Sequence, residues 1–234
     1  SLPPNYWSAT INNKISPILN TKLLDAGYSL NAFWSSGPLY DKNILLNYLS
    51  TYSAIEDIHQ LPARNDQETI NQLSKFINIK KKQPYFIQIL LDGVHGYCSD
   101  SKIPTIFKPI AKNCSRWTNS RISNVEKYYN RYKNSLANID AQLQKIMMVF
   151  DEKKIWQNTI VIITSDHGEE FDDNKQGYFG HSSNYTKYQL KVPMLVHWPQ
   201  KKTKNIFYKT THYDLVPTLI DDLLGCKIES SKYS

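Results

Sequence analysis

The residues able to do metal or acid–base chemistry gather in three short stretches. These are Asp92-Gly93-Val94-His95-Gly96, Ser165-Asp166-His167-Gly168-Glu169-Glu170 and Gly180-His181-Ser182-Ser183-Asn184. An aspartate beside a histidine offers one carboxylate oxygen and one imidazole nitrogen. That pair suits zinc or manganese better than calcium, which prefers oxygen alone. Adjacent side chains on a strand point to opposite faces. Asp166 and His167 therefore converge on one ion only where the backbone turns, and Gly168 removes the steric bar to that turn. The competing reading makes Asp166 a cap for the following segment and His167 a buried, hydrogen-bonded histidine. Placement at a strand exit, the adjacent glycine and two further histidine loops favour a metal or anion site. His95 and His181 sit among Gly93, Gly96 and Gly180, which suggests close approach of a ligand to the backbone rather than two ordinary surface histidines. His59, His197 and His212 lack such surroundings, and His197, inside an apolar run, reads as core.

The elements that must carry these stretches alternate in type. Ile15 to Ala26 reads as a helix stopped by Gly27, and Tyr28 to Trp34 as a strand ending in the turn Ser35-Ser36-Gly37-Pro38. Asp66 to Ile79 is helical by the spacing of Ile70, Leu73 and Ile77. Tyr85 to Leu91 is a nearly unbroken apolar strand that empties into Asp92. The irregular tract 92–120 is long enough to suggest function. Asn124 to Lys154 is the strongest helix, and its stripe of Val125, Tyr129, Tyr132, Leu136, Ile139, Leu143, Ile146 and Phe150 reads as core. Strands follow at 159–164, emptying into Ser165, and at 192–198, and a helix with Pro217 in its first turns spans 213–224. Helix and strand in alternation, with strands apolar on both faces, predict an α/β fold: a mostly parallel central sheet covered by helices on both sides. Ligands of such sheets sit beyond the carboxyl ends of the strands. Parallel neighbouring strands would therefore bring the three stretches to one rim.

Bulk composition narrows the class. The chain has 234 residues with 41% hydrophobic and 21% charged content, which is enough for one globular domain with a real core. Formal net charge is +7, but Lys80-Lys81-Lys82 and Lys201-Lys202 lie between predicted elements as solvated runs do. No zinc-finger spacing, RNA-binding aromatic signature or basic helix is present, so nucleic acid is not the expected partner. A basic balance suits an anionic substrate or lipid headgroup equally well. Lys108 to Arg121, with Lys112, Arg116, Trp117 and Arg121, is the expected basic–aromatic patch. No apolar run reaches the ~18–20 residues of a membrane span. The opening Ser1-Leu2-Pro3-Pro4, without methionine, reads as part of something longer. Cys98, Cys114 and Cys226 show no metal spacing; Cys98 and Cys114 could close one loop if the domain is exported, a pairing the sequence leaves open.

The motifs resemble a known family. "VIITSDHGEEF", the following "GHSSN" and then "VPMLVHWP" resemble the alkaline phosphatase/sulfatase superfamily in its sulfatase branch. "LLDAGYSLNAFWSSGPLY", "YNRYKNSLANIDAQLQKIM" and "HYDLVPTLID" resemble further blocks of that branch in the right order, so the resemblance covers nearly the whole chain. "SLPPNYW" and "GYFGHSSNYTKYQLKVP" resemble its bacterial inner-membrane, sulfatase-like members in particular.

The resemblance implies a single sulfatase-like domain over 1–234, incomplete at its N-terminus. It would be a hydrolase or transferase of sulfate or phosphate esters, anchored in the bacterial inner membrane through an upstream region and facing the periplasm. Asp166 and His167 would hold a divalent metal, manganese or zinc rather than calcium. His95 and His181 would contact the anionic oxygens. The nucleophile and a further acidic ligand are expected before Ser1, which leaves the chain itself inactive and its metal weakly held. "SLPPN" at 1–5 imitates a sulfatase signature but has Asn5 where arginine is needed. The family's substrate lysine has only Lys187 and Lys191 nearby. The alternative is a non-catalytic lipid-binding or sensor domain on the same scaffold, regulating lipopolysaccharide or cardiolipin of the envelope.

Overall fold

A computed structural model describes residues 18–35, 58–60, 65–79, 84–98, 103–112, 114, 124–181 and 185–225. In chain order its regular elements are α1 (Ile18–Asp25), β1 (Ser29–Trp34), β2 (Ile58–Gln60), α2 (Asp66–Asn78), β3 (Tyr85–Leu90), α3 (Val125–Lys153), β4 (Val161–Thr164), β5 (Glu170–Phe171), β6 (Phe179–Gly180), α4 (Lys187–Leu190), β7 (Met194–His197) and α5 (Leu215–Leu224). Single 3-10 turns occupy Trp156–Asn158 and His212–Asp214. No helix among these residues is long and apolar enough to cross a membrane. The chain divides into two compact units. One holds Arg64–Phe76 and Leu91–Lys202, and the other Leu2–Ala63, Ile77–Leu90 and Thr203–Ser234.

The second of these units carries the parallel sheet, in the order β2-β1-β3. β1 runs parallel to β3 from Ser29 opposite Tyr85 to Trp34 opposite Leu90, and parallel to β2 along Ala32–Trp34. Every residue of β1 is buried, as a central strand covered on both faces requires. Leu23 of α1 joins Leu30, Ala32 and Trp34 in the core, with Leu19, Tyr28 and Phe86 against them. α1 stops where the sequence predicts. Gly27 takes φ +83°, and the N–H of Tyr28 returns to the carbonyl of Leu23 at 2.9 Å, closing the helix end.

The other unit is organised by α3. Its ends fall within a residue of expectation: Asn124 caps the first turn by accepting from the N–H of Lys127, and Lys154 closes it at φ 55°. Its buried face differs from the apolar stripe. Asn130, Asn134, Ser135 and Gln142 are buried with Ile146 and Phe150, while Tyr129 and Leu136 are 45% and 42% exposed. The cause is the irregular tract lying across the helix, whose backbone needs hydrogen-bond partners that strands and helices would find in themselves. Asn134 Oδ1 accepts from the N–H groups of Ile106 and Phe107, both at 2.8 Å, and its Nδ2 donates to the carbonyl of Phe107. Asn130 donates to the carbonyl of Pro109 and Arg131 to that of Ala111. Within this tract a disulfide joins Cys98 to Cys114.

β4 and β7 form an antiparallel pair, Val161 opposite His197 through Thr164 opposite Met194. The α/β class thus holds, with parallel pairing in the three-stranded sheet and antiparallel pairing here. Leu195 and Val196 are 63% and 46% exposed, and His197 is exposed too rather than core. Its ring stands edge-on to Trp156, with Nε2 3.1 Å from the Trp156 carbonyl, because β7 has β4 as its one strand neighbour among the described residues.

Two stability outcomes follow from α3 and the disulfide. Asn134→Ala leaves two N–H groups and a carbonyl without their partner and is expected to cost about 1–3 kcal/mol in urea unfolding. Leu136→Ala, on the exposed side, should cost less; the reverse order would restore the apolar stripe as the buried face. Replacing Cys98 by serine should lower stability by roughly 3 kcal/mol, the entropy of the loop it closes, read as the difference in unfolding midpoint between wild type and variant, which reductant should abolish.

Candidate functional site

Each chemistry-bearing stretch is fixed by a separate local device, all within the unit that holds 91–202. The first is Asp66 at the start of α2. Its buried carboxylate accepts from the N–H groups of Asp92 and Gly93, each at 3.1 Å. A side chain at Gly93 would come within 2.2 Å of Asp66 Oδ2, so the turn that follows admits only glycine there. That turn closes through Gly96 to Gly93 and Tyr97 to Val94 and presents His95 half-exposed, Nδ1 3.9 Å from Asp92 Oδ1.

The second device is the exit of β4. A Cβ on Gly168 would meet the carbonyl oxygen of Tyr188 at 2.1 Å, and its N–H donates to the carbonyl of Gln189 at 2.7 Å. Glycine is required here by close approach to α4, not by an unusual backbone angle at the strand exit. Ser165 Oγ donates to the carbonyl of His167, and the N–H of His167 donates to Asp166 Oδ1. His167 Nδ1 lies 2.8 Å from the carbonyl of Gly168. A carbonyl only accepts, so Nδ1 carries the proton and Nε2 keeps its lone pair outward. Asp166 Oδ2 is 3.7 Å from that Nε2, on a side chain 83% exposed.

The third device is a hairpin that residue-type scanning passes over. β5 and β6 pair Glu170 with Gly180 and Phe171 with Phe179. Its turn is locked by Asp172, which accepts from the N–H of Gly177, and by Asp173, which accepts from that of Phe171. The register sets Glu169 opposite His181, and Glu169 Oε2 lies 2.6 Å from His181 Nδ1, both side chains largely buried. Alternation along β5 sends the next carboxylate the other way. Glu170 is fully buried and accepts from Asn174, Thr186 and Gln189 at 2.8–2.9 Å. The mirrored "EEF" and "FGH" flanking a polar turn carried the signal for Glu169.

The three histidines come together. The rings of His167 and His181 stack at 4.0 Å between centroids, and those of His95 and His181 stand 5.6 Å apart. His167, Glu169 and His181 offer ligand atoms all within 4.8 Å of one another. Two imidazoles and a carboxylate are a fitting donor set for a divalent ion of zinc or manganese type. Asp166 reaches the same imidazole from the solvent side. Beneath them Phe171 packs with Tyr97, Tyr129 and Tyr132, joining the His95 turn, α3 and β5 in one aromatic cluster. Burial, with the nearby Glu169 charge and Tyr129, raises the Tyr132 phenol above its ordinary range and keeps it a neutral hydroxyl. Of the expected basic–aromatic patch, Lys108 and Lys112 are exposed, while Arg116, Trp117 and Arg121 lie outside the described residues. Lys187 opens α4 and sits over the ring of Tyr188.

Comparison with known proteins gives this geometry its context. Over 236 aligned residues the chain is 25% identical to the inner membrane protein YejM of Salmonella typhimurium, covering 100% of this chain and 34% of that protein. It is 27% identical to the phosphoethanolamine transferase EptA of Helicobacter pylori, over 81% of this chain and 36% of the transferase. It therefore spans about a third of the length of these relatives. Among solved structures, the phosphonate monoester hydrolase of Agrobacterium radiobacter superposes with a TM-score of 0.62 at 16% identity, over 88% of this chain and 57% of that one. The C-terminal periplasmic domain of EptC from Escherichia coli, complexed with zinc, superposes with a TM-score of 0.53 at 20% identity, over 79% of this chain and 52% of that one. The sulfatase family model matches residues 11–225, through every element described above, and the chain belongs to the sulfatase family.

Proposed function

We propose that this is a divalent-metal-dependent domain for hydrolysis or transfer of sulfate or phosphate esters. The observation that carries the reading is the meeting of three imidazoles at His181, which stacks on His167, stands 5.6 Å from His95 and is backed by Glu169. His167, with its Nε2 lone pair outward, and Asp166 beside it are the proposed metal ligands. A bound zinc or manganese ion supplies Lewis acidity toward an ester oxygen. His95 and His181 face the anionic oxygens. Glu169, through its 2.6 Å contact, fixes the orientation of the His181 ring and leaves Nε2 for the substrate. Tyr132 stays neutral beside them and adds no negative charge to repel an anion. The named relatives are an inner membrane protein and a phosphoethanolamine transferase. The first supports a setting on the inner membrane, the periplasmic EptC domain supports a face toward the periplasm, and the transferase supports a phosphate-bearing substrate.

The test is calorimetric titration of zinc or manganese, followed by inorganic phosphate, into the protein. His167→Ala and Asp166→Asn are expected to weaken metal binding by at least about tenfold. His95→Ala and His181→Ala should spare the metal and weaken phosphate binding to the loaded protein. Metal binding lost in Glu169→Gln and His181→Ala but kept in Asp166→Asn would move the ion to the His167–Glu169–His181 grouping. Phosphate that binds no better with metal than without it would sink the ester-chemistry reading.

Gly168→Ala provides a second check. It removes no donor, yet its methyl group would meet the carbonyl oxygen of Tyr188 at 2.1 Å. It is expected to lower stability by about 1–3 kcal/mol and to weaken metal binding along with it. An unchanged melting temperature would show that α4 is free to shift away from the β4 exit.

A further inference from the structure

The basic charge of this protein is not spread through the chain. Residues 174–213 contain seven lysines and no aspartate, glutamate or arginine. Of 28 basic residues in all, the 21 outside this stretch are matched by 21 acidic ones, so the stretch carries the whole net charge of +7. Within it, between the end of β7 at His197 and the turn that opens at His212, no helix or strand forms. Here "KKTKNIFYK", Lys201 to Lys209, sets three apolar side chains among four exposed lysines. Phe207 is 92% exposed, Tyr208 72% and Ile206 44%.

A consecutive apolar triplet left in water forgoes the burial that folding normally provides. The lysines on either side bias what covers it. At a bilayer surface, aromatic rings settle at headgroup level, lysine stems lie along apolar surface with their ammonium groups in the aqueous layer, and each lysine gains from anionic lipid. Nucleic acid fits the composition less well. The stretch lacks arginine, whose planar fork provides the bidentate recognition of phosphates and bases.

We propose that residues 203–209 form a membrane-contact loop, in which Ile206, Phe207 and Tyr208 enter the headgroup layer of an anionic phospholipid bilayer and Lys204 and Lys209 face the lipid phosphates. The contact uses none of the residues of the histidine cluster and stands whether or not the ester chemistry proposed above is correct.

The experiment is co-sedimentation of the 234-residue protein with phosphatidylcholine vesicles, with and without phosphatidylglycerol, in the presence of a metal chelator. Binding should require phosphatidylglycerol and weaken at high salt. Phe207→Ser should lower the partition coefficient by about tenfold, and Lys204→Gln with Lys209→Gln by roughly thirtyfold. All variants should melt at the wild-type temperature, because the altered side chains are exposed. Equal binding with or without phosphatidylglycerol, or no binding, overturns the proposal. So does Phe207→Ser that binds vesicles like wild type, and so does a shift in its melting temperature, which would place Phe207 inside the protein. Binding to duplex DNA stronger than to the anionic vesicles would assign the lysines to nucleic acid instead.

Discussion

The carboxylate of Glu170 has no access to water, so it must find its hydrogen bonds inside the protein. It finds three, from Asn174 in the β5–β6 turn and from Thr186 and Gln189 at and beside α4. A buried anion held this way is intolerant of rearrangement, since losing one donor leaves a desolvated charge. Its grip fixes the short helix α4 against the hairpin. That placement brings the carbonyls of Tyr188 and Gln189 against Gly168, one residue past His167. The neighbouring Glu169 then points the opposite way, toward His181. One buried carboxylate thus settles where the β4 exit, the hairpin and α4 meet, and the histidine cluster inherits its geometry from that junction.

The same logic recurs at the first stretch. Asp66 turns its carboxylate to two backbone N–H groups at the start of the His95 turn. Asn134 and Asn130 hold the irregular tract in place through its backbone. In each case a buried polar side chain replaces the ladder that regular secondary structure would have supplied. These residues touch no candidate ligand. They hold the loops steady so that the ring of His181 stands 4.0 Å from that of His167 and 5.6 Å from that of His95, and any site built on these side chains depends on that steadiness.

Much of this was legible in the sequence. The ends of α1 and α3 follow from Gly27 and Asn124, because capping is a local contest between a side chain and the first or last orphan backbone groups. β1 and β3 follow from apolar runs, and their parallel pairing from the helix between them. That the stretches holding 95, 167 and 181 would meet was legible too, since each lies at or just past a strand end, where loops of neighbouring strands gather. Less legible was the buried face of α3. Periodicity identifies which residues are apolar, but the helix packs on a backbone tract and buries asparagines instead of Leu136. His197 sits on an apolar strand yet lies exposed, because exposure depends on which strands pair beside it.

What the sequence determined by itself was the α/β class, the bounds of the principal elements and which stretches carry the chemistry-bearing side chains. Those depend on propensities and caps that act over one or two turns of chain. Only the tertiary structure decided that Glu169 faces His181 while Glu170 turns inward, that Gly168 is demanded by a carbonyl 20 residues further on, and that the three imidazoles share one place. Each of these depends on a register or a close approach between segments distant in sequence. A one-residue slip of the hairpin would exchange the two glutamates without changing a single letter of the pattern.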